Sequence, residues 1–125
     1  MNKINVMDIA GTEYPAGRKA RVVIGPNGIF RAQNFVQGYS VVYPGGGVPE
    51  HTHPQEECYT IVAGSGEMTV GGETCPVRGG DYVYIPSGVP HSLKNCGTQD
   101  MIMMFVYAPA GIVEHWQQES AGELK

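Results

Sequence analysis

Residues 45–64 read GGGVPEHTHPQEECYTIVAG and residues 80–95 read GDYVYIPSGVPHSLKN. His51 and His53 stand two apart, so on an extended chain both imidazoles leave the same face. Glu57 shares their parity, although Pro54 interrupts any strand between them. A fourth donor, His91, sits just past the Pro86-Ser87-Gly88 bend that ends another apolar run. Neutral imidazole and carboxylate are the usual protein ligands of first-row divalent ions. Four such donors leave one or two positions for water or substrate on a five- or six-coordinate ion. An isolated His-x-His is common on protein surfaces. In this chain, however, three of the four histidines fall in these two glycine-bracketed segments.

Outward from these segments the chain is a succession of short strands and turns. Runs at 21–24, 29–35 and 37–43 read as strands, separated by the Gly25-Pro26-Asn27-Gly28 turn and closed by Pro44-Gly45-Gly46-Gly47. Beyond them 56–62, 67–70, 73–77, 82–85, 91–94 and 101–107 read as strands. Between these lie the turns Ala63-Gly64-Ser65-Gly66, Gly71-Gly72, Gly79-Gly80 and Pro86-Ser87-Gly88. Short strands at regular spacing define an all-β sandwich or barrel. The expected organisation is an irregular segment over 1–20, a barrel over 21–110 and a tail over 111–125, helical at about 112–118.

The two segments resemble the paired motifs of the cupin superfamily. The first, G-x5-H-x-H-x3,4-E-x6-G, is met from Gly45 through His51, His53 and Glu57 to Gly64. The second, G-x5-P-x-G-x2-H-x3-N, is met from Gly80 through Pro86, Gly88 and His91 to Asn95, and no fixed position departs from either. The resemblance implies a double-stranded β-helix, a jelly-roll barrel of the RmlC-like kind. One divalent transition metal ion (Fe, Mn, Ni or Zn) would be held by His51, His53, Glu57 and His91. Gly45, Gly64, Gly80, Pro86 and Gly88 then shape the bends, and Asn95 holds a turn. It also implies a metal-dependent small-molecule enzyme. The first expectation is a dioxygenase acting on an enolisable or diketone-like substrate. The alternatives are a non-redox sugar or keto-acid isomerase or lyase, and a non-catalytic module that binds a sugar or metabolite. The catalytic residues are left open.

Composition narrows the rest. With 125 residues, 42% of them hydrophobic, the chain suits one domain with an ordinary core. Its 18 glycines and 9 prolines favour turns over long helices. A net charge of −4 with eight Lys and Arg argues against nucleic acid or an anionic membrane as partner. Arg18, Lys19 and Arg21 read as a solvated entry segment. No apolar run reaches membrane-span length and no signal-peptide stretch opens the chain, so a cytoplasmic protein is expected. Cys58, Cys75 and Cys96 form no CxxC pair and read as small buried hydrophobes. Tyr43, Tyr59, Met103 and Phe105 lie near the motifs, as core residues first and as pocket wall second. The methionines between Met101 and Met104 read as core filler. His115 reads as an exposed helix residue, with a lid or proton donor as the alternative. A homodimer is expected, paired through the Val22-Val23-Ile24 strand.

Overall fold

The computed structural model describes residues 1–111 and 115–122, with residue 115 described by its backbone alone. A single 3-10 turn at Val6–Asp8 precedes the strands. In chain order these are β1 (Thr12–Tyr14), β2 (Arg18–Gly25), β3 (Phe30–Arg31), β4 (Val36–Val42), β5 (Gly47–His51) and β6 (Glu56–Ala63). They continue as β7 (Ser65–Val70), β8 (Glu73–Arg78), β9 (Tyr82–Ile85), β10 (His91–Lys94) and β11 (Met101–Ala108), before the helix α1 (His115–Ser120). Two sheets result. One has the order β1-β2-β4-β11-β6-β9 with β3 beside β2, and the other β5-β10-β7-β8. All pairings except β2 with β3 are antiparallel. Together the sheets make a double-stranded β-helix.

Alternation explains why the strands hold this register. Along β4 and β11 every second residue is buried, so a slip of one position would turn the whole apolar set outward. Val42, Met101, Met103 and Phe105 on the first sheet join Val48, Met68 and Leu93 on the second in one core. Gly64 makes the one-residue connection from β6 to β7 in the left-handed region, at φ +84°. A Cβ there would lie 2.8 Å from the Asp100 carbonyl oxygen and 2.8 Å from Met101 Cα, so both conformation and space require glycine.

Several expectations are corrected. The first twenty residues are not irregular: they hold β1 and the start of β2, joined by a turn in which the Gly17 N–H donates to the Tyr14 carbonyl at 3.0 Å. The run 29–35 is a strand only at Phe30–Arg31, because the Ala32 N–H turns back to the carbonyls of Phe30 and Gly25. Gly47–His51 is a strand that the strand runs read from the sequence did not include. Ser65 and Gly66 belong to β7 rather than to the preceding turn.

The side-chain readings shift too. Cys75 and Cys96 are exposed and Cys58 half-buried, since the first two lie on the outlying β8 and in a surface turn. Of the methionine cluster, Met101 and Met103 fill the core while Met104 points to the opposite face of β11. Arg18 is not solvated but 1% exposed, and Arg21 is buried with its Nε donating to the Ile9 carbonyl at 2.8 Å. Along β2, β4 lies on one side, while on the other β1 pairs with residues 18–20 and β3 with residues 24–25, so neither reaches Val22 or Val23. The tail helix spans His115–Ser120; positions 112–114 of the expected helix, and the side chain of His115, lie outside the described residues. No helix among the described residues is long and apolar enough to cross a membrane.

Candidate metal centre

His51 ends β5 and His91 begins β10, and the two are direct cross-strand partners on the smaller sheet. A register irregularity between His91 and Leu93 lets the first residue of β10 turn inward at the barrel end. Glu57 lies on β6 of the other sheet, paired with Tyr107 and Ile85. His53 is carried by the short connection between β5 and β6. That connection is pinned to the second motif: the Gly88 N–H donates to the His53 carbonyl at 2.9 Å, and the Ser87 hydroxyl donates to the Pro54 carbonyl at 2.6 Å. The bend that precedes His91 therefore also positions His53.

All four side chains are buried, and one donor atom from each lies within 4.8 Å of the others. In each of the three clustered histidines, Nδ1 faces a backbone carbonyl: His51 faces Pro49 at 2.7 Å, His53 faces Gln55 at 3.1 Å and His91 faces Val89 at 2.9 Å. A carbonyl oxygen only accepts, so each Nδ1 carries the proton and each Nε2 of a neutral ring presents a lone pair. The Nε2 atoms of His53 and His91 lie 3.0 and 3.2 Å from Glu57 Oε1. Two imidazoles held this close to a carboxylate need positive charge among them, carried either by a proton on the rings or by a cation between the donors. The donor set, its burial and its fixed tautomers therefore fit a divalent cation, with backbone carbonyls as the outer partners that orient the imidazoles.

Electrostatics point the same way. Burial, followed by repulsion from His91, pushes the His51 imidazole down to about 4, so it is neutral at physiological pH. For Glu57, burial pushes upward, but hydrogen bonds and charge from His53 and His91 outweigh it and the carboxyl ends below its ordinary value. The cluster thus offers a neutral His51 ring and an ionised carboxylate. Burial raises Tyr59 well above the usual phenol range and raises Tyr107 as well, so both keep their protons.

Around the cluster the expected residues divide. Tyr59, Met103 and Phe105 line a small space beside Glu57, together with Arg18, Ser40 and Trp116. Tyr43 does not line it; its hydroxyl donates to the Glu13 carboxylate, at 2.7 Å from Oε1. Asn95 is fully buried in the role expected of it. Its Nδ2 donates to the carbonyls of Val42 and Gln99 at 2.9 and 2.8 Å, and its Oδ1 accepts from the Gly97 N–H at 2.9 Å.

Sequence reasoning missed three residues at this end. Gln55, buried, donates from Nε2 to the Ala110 carbonyl at 2.8 Å and so ties the His53 connection to the tail. Arg18 forms a buried two-bonded ion pair with Glu119 of α1. For Arg18 a signal existed in its shared parity with Ala20 and Val22. For Glu119 there was none.

The fold and the cluster define a jelly-roll barrel with a buried three-histidine, one-glutamate donor set at one end. The family model described as Cupin domain matches residues 38–107, and the chain belongs to that family. Polyketide synthase CurC of Streptomyces cyaneus is 31% identical over 94 residues, which cover 74% of this chain and 60% of that one. Gentisate 1,2-dioxygenase of a Ralstonia species is 33% identical over 70 residues, 55% of this chain and 20% of that one. Among solved structures, the polyketide cyclase RemF of Streptomyces resistomycificus superposes with a TM-score of 0.72 at 23% identity, over 99% of this chain and 98% of that one.

Proposed function

We propose that the chain is a metal-dependent enzyme acting on a small enolisable carbonyl compound, with His51, His53, Glu57 and His91 holding one divalent transition metal ion. The observation that carries this reading is the convergence of four buried donor atoms within 4.8 Å, with all three imidazoles oriented by backbone carbonyls. A bound ion with exchangeable positions would polarise a chelated carbonyl and, if redox-active, support reaction with dioxygen. The protein supplies the rest. Met103 and Phe105 supply an apolar wall to the neighbouring space, and Tyr59 holds a protonated phenol in the same lining as Glu57 that offers a hydrogen-bond donor.

Oxygen-dependent cleavage of a diketone-like substrate is the first form of this proposal, supported by the similarity to a gentisate dioxygenase. A non-redox rearrangement of the same substrate class is the second form. Metal analysis followed by paired assays on pentane-2,4-dione separates them. Oxygen consumption by the loaded protein identifies the first. Deuterium exchange at the central carbon without oxygen uptake identifies the second. Saturable binding with neither signal would leave a binding module, and absence of metal after reconstitution would sink the proposal.

We also propose a homodimer, formed through the outward face of the larger sheet, where Val62, Tyr82, Tyr84 and Val106 are exposed. A monomer in gel filtration at micromolar concentration would refute this.

A further inference from the structure

Arg18 and Glu119 are 1% and 0% exposed, and they meet through two parallel contacts, one of them Nη2 to Oε2 at 2.9 Å. Arg18 Nη1 also donates to the Gly47 carbonyl at 3.3 Å, and the guanidinium lies 4.6 Å over the ring of Tyr14 and 5.7 Å from that of Trp116. The same space that Arg18 lines is also lined by Glu57, one of the four clustered donors, and only about 10 Å³ of it is free. That is no more than one water needs. Tyr59 lines the same space, in company with both Glu57 and Arg18. The Ser40 hydroxyl, fully buried in this space, has no hydrogen-bond partner among the described residues.

As a fastening this arrangement is a poor choice. Buried ion pairs return little net stability, because both charges lose their water. A helix of six residues does not hold itself together, and Gln117, Gln118 and Ser120 are exposed. Among the described residues, the element at the mouth of this space is thus a short helix that reaches it through Trp116, with Glu119 on Arg18. If it lifts, Arg18 cannot shed its charge and must find another anion. Opening is therefore favourable when an anionic ligand enters as Glu119 leaves.

We propose that Arg18 is the carboxylate-binding residue of the barrel and that Glu119 occupies its place in the closed form. A substrate carrying a carboxylate exchanges with Glu119 on the guanidinium while α1 moves off the mouth. Ser40 stands ready to donate to the incoming group. This rests on the function proposed above for what happens at the other end of the substrate, and it narrows the substrate class to an enolisable carbonyl compound that bears a carboxylate.

The chain's single tryptophan, Trp116, packs between Arg18 and Phe105 and donates to the Tyr107 hydroxyl at 3.3 Å, so its emission reports the position of α1. The test titrates malonate into the metal-free full-length protein at matched ionic strength, with malonamide as the uncharged control. Malonate should produce a saturable change in emission and greater acrylamide quenching of Trp116, and malonamide neither. Glu119→Gln keeps the shape but trades a charged acceptor for a neutral one, so malonate should bind about tenfold tighter. Arg18→Met should weaken it by more than about tenfold.

Equal responses to malonate and malonamide in the wild type would overturn the proposal even if neither variant folds. So would unchanged malonate affinity in a folded Glu119→Gln variant, which would make the pair a structural clamp. Binding that appears only with metal and survives Arg18→Met overturns this inference and leaves the metal centre standing. Arg18-dependent binding in a protein that takes up no metal does the reverse.

Discussion

Asn95→Ala is the substitution whose size can be worked most directly from the structure. The side chain has no exposed surface and makes three hydrogen bonds, all to backbone. Two run from Nδ2 to the carbonyls of Val42 and Gln99, and the third is accepted by Oδ1 from the Gly97 N–H. Truncation removes them together and leaves the buried Val42 carbonyl without this donor. At about 1 kcal/mol for each bond, the loss comes to about 3 kcal/mol. For a domain of this length that is a fall of about 12 °C in Tm. Asn95→Asp should be worse: it keeps an acceptor for Gly97 but turns a buried carboxylate oxygen on the carbonyls of Val42 and Gln99. Urea unfolding with a matched thermal scan measures both. Since Asn95 lies outside the donor cluster, folded Asn95→Ala protein should still bind about one metal ion per chain. A loss under about 1 kcal/mol, or a metal-free variant of undiminished stability, would refute the assignment of Asn95 to the turn.

Replacing His51 or His91 with Ala should drop metal content well below one ion per chain by mass spectrometry, and full retention in both would sink the proposed site. The metal-free protein should lose stability as pH falls. His51 titrates at about 4 in the fold against 6.5 in the unfolded chain. The unfolded state therefore takes up its proton first, and the loss develops between those values, reaching about 3 kcal/mol. Urea midpoints that stay flat from about pH 7 to about pH 4 would contradict it. Metal affinity should fall over the same range, since ligating imidazoles must be neutral. Gly64→Ala should cost about 3 kcal/mol, from the left-handed backbone and the contact with Asp100 and Met101 together. A change near zero would mean that the β6–β7 connection relaxes freely.

What could be read beforehand and what could not divides along physical lines. β4, β10 and β11 announce themselves because one face is buried and the other is not, which writes a period of two into the chain. β5 is hidden behind Gly46-Gly47-Val48-Pro49, a run that reads as a breaker. It survives as a strand because it lies at the edge of its sheet and pairs only with β10, where a proline's missing N–H does no harm. β1 is three residues long, too short to show any period.

The donor cluster was legible because its spacing is local to two segments. Its tautomers were not, since the carbonyls of Pro49, Gln55 and Val89 carry no mark in the side-chain sequence. Arg18 was misread because charge was taken as a sign of solvation. Its partner lies 101 positions away, and no local pattern spans that distance.

The four donors do not sit on one rigid wall. His51 and His91 belong to the smaller sheet, while Glu57 belongs to the larger. A coordinated ion would be a rivet between two separate plates, and the gap between the plates would set its radius. That gap is held by side chains with no place in the coordination sphere, among them Val48, Met68 and Leu93 packed with Ile61 and Met103. Trimming or enlarging one of these would change the bite of the site while every ligand stayed in place. Preference among iron, manganese, nickel and zinc then becomes a property of the whole interior, open to tuning far from the metal.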